Sequence, residues 1–227
     1  VADWLREMAD ALEQADDVRA TSLKLLQEIA VNHSRVIFNG DNYTDEWVEE
    51  AEKRGLPNIR STVESLETIP ADEHVEVFTR HGVLTEHELE ARTEILMESY
   101  AKWINIEAET MLSIAKRQIL PACCRYAGVL AESVRATGEA GVSAETQTKM
   151  LKRVSELISQ LDGAIGGLEA SQQKTAAIED VVKQAKACRD DLIPAMQAVR
   201  TPADELEMIV DAEIWPLPTY AEMLFTK

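Results

Sequence analysis

The sequence predicts an all-α protein: a bundle of long, kinked antiparallel helices, a few short helices near the N-terminus, and an extended, proline-stopped C-terminal tail. Three observations carry that prediction. Apolar residues recur every three or four positions over long stretches, the mark of helices with one buried stripe. Helix-start and helix-stop residues flank those stripes. Only 9 Gly and 7 Pro punctuate 227 residues of which 45% are hydrophobic, so the elements are long. Isolated helices gain too little to persist, so such stripes must pack on one another, antiparallel and at small crossing angles.

From Ala2 to about His33 the spacing of Leu5, Met8, Leu12, Val18, Leu25, Leu26 and Ile29 predicts one helix. Arg35–Phe38 is a short, mostly apolar run closed by Asn39-Gly40-Asp41-Asn42, and reads as a brief strand or a buried extended segment. Thr44 caps a short helix carrying Trp47 and Val48, which Gly55 closes and Pro57 follows. Two more short helices fit between Asn58 and Gly82, the second running from Pro70 to Gly82.

Thr85 and Glu88 form a capping box that opens a helix reaching about Thr137. Its stripe comprises Leu89, Leu96, Tyr100, Trp103, Ile104 and Met111, then Ala115, Ile119, Tyr126, Leu130 and Val134. Pro121 removes a backbone donor and crowds the preceding turn, which predicts a kink or break near Arg117–Pro121; Gly138 and Gly141 end the element. Ser143 is the expected cap of the next helix, with Met150, Val154, Leu157, Leu161, Ile165 and Leu168 inward. The stripe lapses at 171–175, read as a tight turn, the alternative being a helical segment standing free of the bundle. It resumes at Ile178, Val181, Ala185, Cys188, Leu192, Met196 and Val199, with a kink expected at Pro194. Thr201 and Pro202 suit a cap and first turn for a final helix through Trp215. Pro216 and Pro218 then hold the chain extended, ahead of an apolar end (Tyr220, Met223, Leu224, Phe225) expected to dock onto something.

The formal charge of −18 repels phosphate backbones and anionic lipid heads, so nucleic acid and membrane surfaces are not expected partners. No apolar run approaches the ~20 residues that span a bilayer. The start at Val1, without Met, points to a processed product or an excised fragment. Cys123, Cys124 and Cys188 do not make a disulfide framework and read as buried reduced thiols in a reducing cytoplasm. No residue precedes His33, His74, His81 or His87 with the Glu-x-x-His spacing of a carboxylate-bridged metal pair. Asp162-Gly163-Ala164-Ile165-Gly166-Gly167 lacks the Lys-Ser/Thr of a phosphate loop; close helix approach or a bend explains its glycines. Asn39–Asn42 reads as a plain turn, not a calcium loop. The acidic runs 45–50 and 86–90 read as solvated helix faces, and Trp103 and Trp215 as core or interface anchors. No serine or cysteine stands in a nucleophile setting, so no catalytic, cofactor-binding or metal-binding residue is assigned.

Several blocks nevertheless resemble one family. NGDNYTDEWVEEAEKRGLPNIRST from Asn39 to Thr62 is similar to the C-terminal region of type III glutamine synthetases. So are HGVLTEHELEAR from His81, INIEAETMLSIAKRQILPA from Ile104, DLIPAM from Asp191 and the ending ADELEMIVDAEIWPLPTYAEMLF from Ala203. The resemblance implies a parent enzyme that joins ammonia to glutamate with ATP and divalent metal (Mg or Mn), cytoplasmic and assembled as a double-ring dodecamer. It implies that the catalytic residues belong to a β-rich portion preceding this segment. Residues 1–40 would then complete the catalytic domain and 41–227 would form a helical C-terminal domain. Its partners would be its own catalytic domain and neighbouring subunits. A free-standing helical adaptor is the competing expectation.

Overall fold

The computed structural model describes residues 1–224, and among them there is no strand. The chain divides into two compact units, residues 1–60 and 61–227.

In the first unit, α1 (Ala2–Glu13) and α2 (Val18–Asn32) replace the single helix expected from the stripe. The break has a local cause. Asp17 is extended and its side chain accepts the Ala20 N–H, so it caps a new helix instead of continuing the old one. Ser34–Val36 is a 3₁₀ turn and Ile37 is extended without pairing, so 35–38 is neither a strand nor buried; Val36 and Ile37 are exposed. At the start of α3 (Asp45–Lys53) Thr44 holds the N-cap position, but its hydroxyl donates to the Asp41 carbonyl and accepts no N–H from the helix. At its other end Gly55, at φ +70°, allows a Schellman closure in which the Leu56 N–H donates to Ala51 and the Gly55 N–H to Glu52. Arg54 ties this helix to the extended stretch, donating to the Ile37 carbonyl at 2.7 Å and to Glu50 at 2.6 Å. Phe38 packs on Trp47 with centroids 4.7 Å apart, and its ring also covers Gly40. A Cβ at position 40 would lie 2.5 Å from that ring, so only glycine fits without displacing Phe38.

The second unit is a bundle of three rods. The first joins α6 (Glu86–Ile114), a π turn (Ala115–Ile119) and α7 (Leu120–Glu139). The second is α8 (Glu145–Ala176), and the third joins α9 (Val181–Ala187), a π turn (Cys188–Leu192) and α10 (Ile193–Glu207). Two short helices precede them: α4 (Thr62–Glu67), opened by the Ser61–Glu64 capping box, and α5 (Asp72–Arg80), which begins at Asp72 rather than at Pro70. The Thr85–Glu88 capping box opens α6 as expected. The ion pairs Lys174–Asp191 and Arg153–Glu205 match the start of one rod to the end of the next, fixing α8 antiparallel to the third rod. Lys116–Glu169 ties the π turn of the first rod to the last part of α8. These half-exposed pairs set register more than stability. The interior supplies stability: Val154, Leu157, Leu161, Ile165 and Leu168 of α8 meet Leu112, Ile119, Tyr126 and Leu130 on one side. Leu192, Val199 and Leu206 meet them on the other.

Both prolines expected to kink the rods act alike. Each follows a π turn by two residues, and the wider turn absorbs the lost N–H and the ring's crowding while the helix continues. The stripe keeps its register: Ala115, Ile119, Cys188 and Leu192 are all buried.

Four expectations are corrected. Ser143 is not the cap of α8, because Ala144 holds that position without a side-chain bond. No turn occurs at 171–175; α8 continues to Ala176, its last turn held by buried Thr175, whose carbonyl accepts from Gln184 of α9. The reversal comes at 177–180, where Asp180 caps α9. Pro202 starts no helix: it is buried inside α10 beside Val199 and Leu206, and burial there outweighs a cost of roughly 3 kcal/mol for an interior proline. Finally, α10 stops at Glu207, and an Asp211-based turn bends Ile214 and Trp215 back onto the core. Beyond Pro216 and Pro218, Thr219 and Glu222 cap a short α11 (Tyr220–Leu224), on which Met223 and Leu224 are exposed. Phe225 lies outside the described residues.

Candidate functional site

The residue types scanned for chemistry are dispersed. His33 ends α2 with its ring edge-on to Trp4 at 5.8 Å. The His74 ring nitrogen meets the Thr68 carbonyl, His81 ends α5, and His87 stands on the surface 3.9 Å from Glu90. Among the described residues no group of three or more His, Cys, Asp or Glu could hold a metal. Asp41 accepts the Tyr43 N–H through Oδ1, the Asx turn expected of a plain turn cluster. Cys123 is buried, and burial pushes its thiol up to about 11, an inert side chain at neutral pH. Burial raises Cys188 too, against a weak contact from the Asn105 amide at 3.7 Å. Cys124 is exposed, which corrects the reading of all three thiols as buried.

For the glycines of α8, close helix approach, one of the two explanations expected, is corrected. A Cβ at Gly163, Gly166 or Gly167 would meet nothing within 4 Å, so no helix approaches closely there. They lie within a continuous helix, without the strand that leads into a phosphate loop.

What the fold does assemble is an apolar groove of about 620 Å³ between α6 and α10, lined also by the returning tail. Trp103, Ile106, Met111 and Ile114 form the α6 wall, with Ala115 and Ile119 of the π turn continuing it. Met196, Val199 and Ala203 form the α10 wall, and Trp215 and Leu217 the tail end. Trp103 is 65% exposed and Ile106 54%, so the wall is uncovered. The sequence marked Trp103 as part of a stripe, yet Trp103 itself faces solvent while its stripe neighbours Tyr100, Ile104 and Met111 pack on the core. The rim is acidic: Glu107, Asp204 and Glu207, with Arg200 bound to Asp204 at 3.1 Å. Trp215 adds an unmet demand, since its buried indole N–H has no acceptor among the described residues. A mostly apolar cleft with a polar rim suits binding of a segment with apolar anchors. Sequence reasoning named Trp103 and Trp215 separately; only the bend at Asp211 brings the tail to α6.

No described helix is long and apolar enough to cross a membrane. The model of the glutamine synthetase C-terminal domain family matches residues 21–138. A type-3 glutamine synthetase of Dictyostelium discoideum is 34% identical over 236 residues, covering 100% of this chain and 32% of that protein. A glutamine synthetase of Butyrivibrio fibrisolvens is 32% identical over 213 residues, covering 93% of this chain and 30% of the relative. One from Bacteroides fragilis (strain YCH46) is 29% identical over 210 residues, with 90% and 29% covered. The chain therefore spans about a third of the length of these relatives. With a helical body, a family match over half of its length and a relative aligned throughout, the chain belongs to the glutamine synthetase C-terminal domain family.

Proposed function

We propose that this chain is a non-catalytic helical domain that shapes the assembly of a glutamine synthetase. The parent would make glutamine from glutamate, ammonia and ATP with divalent metal in the cytoplasm, its reacting groups lying outside this segment. One observation carries the reading: α1, α2 and α3 bury no residue at all. Trp4, Leu5, Leu26 and Val31 are each more than half exposed on the first two. Helices with that much uncovered apolar surface are stable only when something packs on them. A preceding catalytic domain, completed by residues 1–40, and neighbouring subunits of a dodecamer supply that cover in this reading.

The test has two arms. Supplied with glutamate, ammonia, ATP and Mg²⁺, the chain alone is expected to form no glutamine. In a full-length parent, Trp4→Asp with Leu26→Asp is expected to reduce the assembled fraction seen by sedimentation velocity. Turnover by the chain alone, or intact assembly of the double variant, would sink the proposal. The uncovered groove between α6 and α10 favours a second reading, a helical adaptor for a protein partner.

A further inference from the structure

We infer that the groove between α6 and α10 seats a basic amphipathic helix of a partner polypeptide. The inference goes beyond the assembly role and does not depend on it. From Trp103 to Ile119 the α6 wall spans about 24 Å at 1.5 Å per residue, the length of a helix of four to five turns. An apolar cleft of that length takes anchors spaced i, i+3/i+4, i+7 along one helix face. Trp103 and Ile106, both more than half exposed, offer the first contacts.

The rim specifies charge. Glu107 on the α6 wall and Glu207 at the end of α10 both line the groove, and neither has an ion-pair partner among the described residues. Among the described residues that line the groove, the one cation, Arg200, is held by Asp204. Nothing there balances the two free carboxylates, so an occupant with Lys or Arg beside its apolar anchors is attracted from both walls. A second copy of this chain, with 23 Lys and Arg against 41 Asp and Glu, brings no excess of cations to those carboxylates.

The probe is a fluorescein-labelled Leu/Lys amphipathic peptide of about 14 residues. It is titrated into the 227-residue chain at about 0.15 M salt, beside the same peptide with each Lys replaced by Glu. The Lys peptide is expected to bind with a Kd on the order of 10 μM, and the Glu peptide about tenfold more weakly or worse. Ile106→Arg, on an exposed site, is expected to weaken the Lys peptide about tenfold. Glu107→Lys combined with Glu207→Lys is expected to invert the preference between peptides. Circular dichroism checks that each variant folds, with Trp103→Ala as a second test of the same wall. If Ile106→Arg and Trp103→Ala both bind the Lys peptide as the unaltered chain does, the attraction is to the acidic surface at large and the proposal is overturned. A dimer in sedimentation velocity that Ile106→Arg dissociates also overturns it, because a second copy then fills the groove.

Discussion

The first unit and the three-rod bundle are made of the same kind of helix, yet only the bundle has an interior. In α8 the stripe Val154, Leu157, Leu161, Ile165, Leu168 is buried throughout, whereas the stripe of α1 and α2 contains no buried residue. A periodic apolar face states that a helix requires cover; it does not state whose surface supplies it. In the rods the cover is the chain's own. In α1 and α2 it comes, on the reading proposed above, from outside. The difference is measurable. Leu161→Ala removes a side chain with no exposure and is expected to cost about 3 kcal/mol in urea unfolding. Leu26→Ala, at a site 61% exposed, is expected to shift stability by less than about 0.5 kcal/mol. Equal costs would erase the distinction. Hydrogen exchange offers a second check: amides of α1 and α2 should exchange before those of α8, and the reverse order contradicts the comparison.

The tail stands between these extremes, half buried against the core at Trp215 and exposed at Met223 and Leu224. Trp215→Ala is expected to lower stability by about 2 kcal/mol, since the indole fills part of the bundle surface. Trp215→Phe should cost about 1 kcal/mol or less, because the N–H it discards makes no hydrogen bond among the described residues. A tail that contributes nothing would leave thermal melting unchanged in both variants.

How much of this was legible follows from the range of each signal. Stripes and caps are local, so the Thr85–Glu88 box, the rods and the Gly55 and Gly82 stops were readable from neighbouring residues. Failures arose where a distant surface overrode a local preference. Pro202 looked like a helix start, but its neighbours Val199 and Leu206 are buried in the bundle and the helix runs through. The polar stretch 171–175 looked like a turn, yet α9 folds back to bond Thr175. In the other direction, Asp17 cut a continuous stripe by capping α2, a signal present in the sequence but outvoted by periodicity. The groove was illegible because its walls lie about a hundred positions apart, and its third side depends on a turn at Asp211 where the pattern suggested helix.

Two glycines sharpen the same point at smaller scale. Gly40 sits under the Phe38 ring, so Gly40→Ala must push Phe38 off Trp47 and is expected to cost about 1 kcal/mol, confined to the first unit. Gly166 sits in mid-helix with open space above it, so Gly166→Ala is expected to stabilise the bundle by about 0.5–1 kcal/mol. A destabilised Gly166→Ala would mean that something packs on α8 at that site in solution.

The smallest effect separates local from tertiary control within a single motif. The Thr85 backbone N–H and hydroxyl both donate to the Glu88 carboxylate and hold it below the usual Glu range; Thr219 does the same for Glu222. A carboxylate whose folded pKa is depressed adds stability above its unfolded pKa and loses it as pH falls through the folded value. Carboxyl titration by NMR is therefore expected to give both residues midpoints below an ordinary Glu, moving up on Thr85→Ala and Thr219→Ala respectively. The consequences of protonation should differ. The helix behind Glu88 has 29 residues with Leu89, Thr93 and Met97 buried, so acid frays its first turn and no more. The helix behind Glu222 has five residues, with Met223 and Leu224 exposed, so loss of the cap should unwind it entirely. Equal loss of helix at both sites would show that α6, like α11, depends on its cap rather than on the bundle.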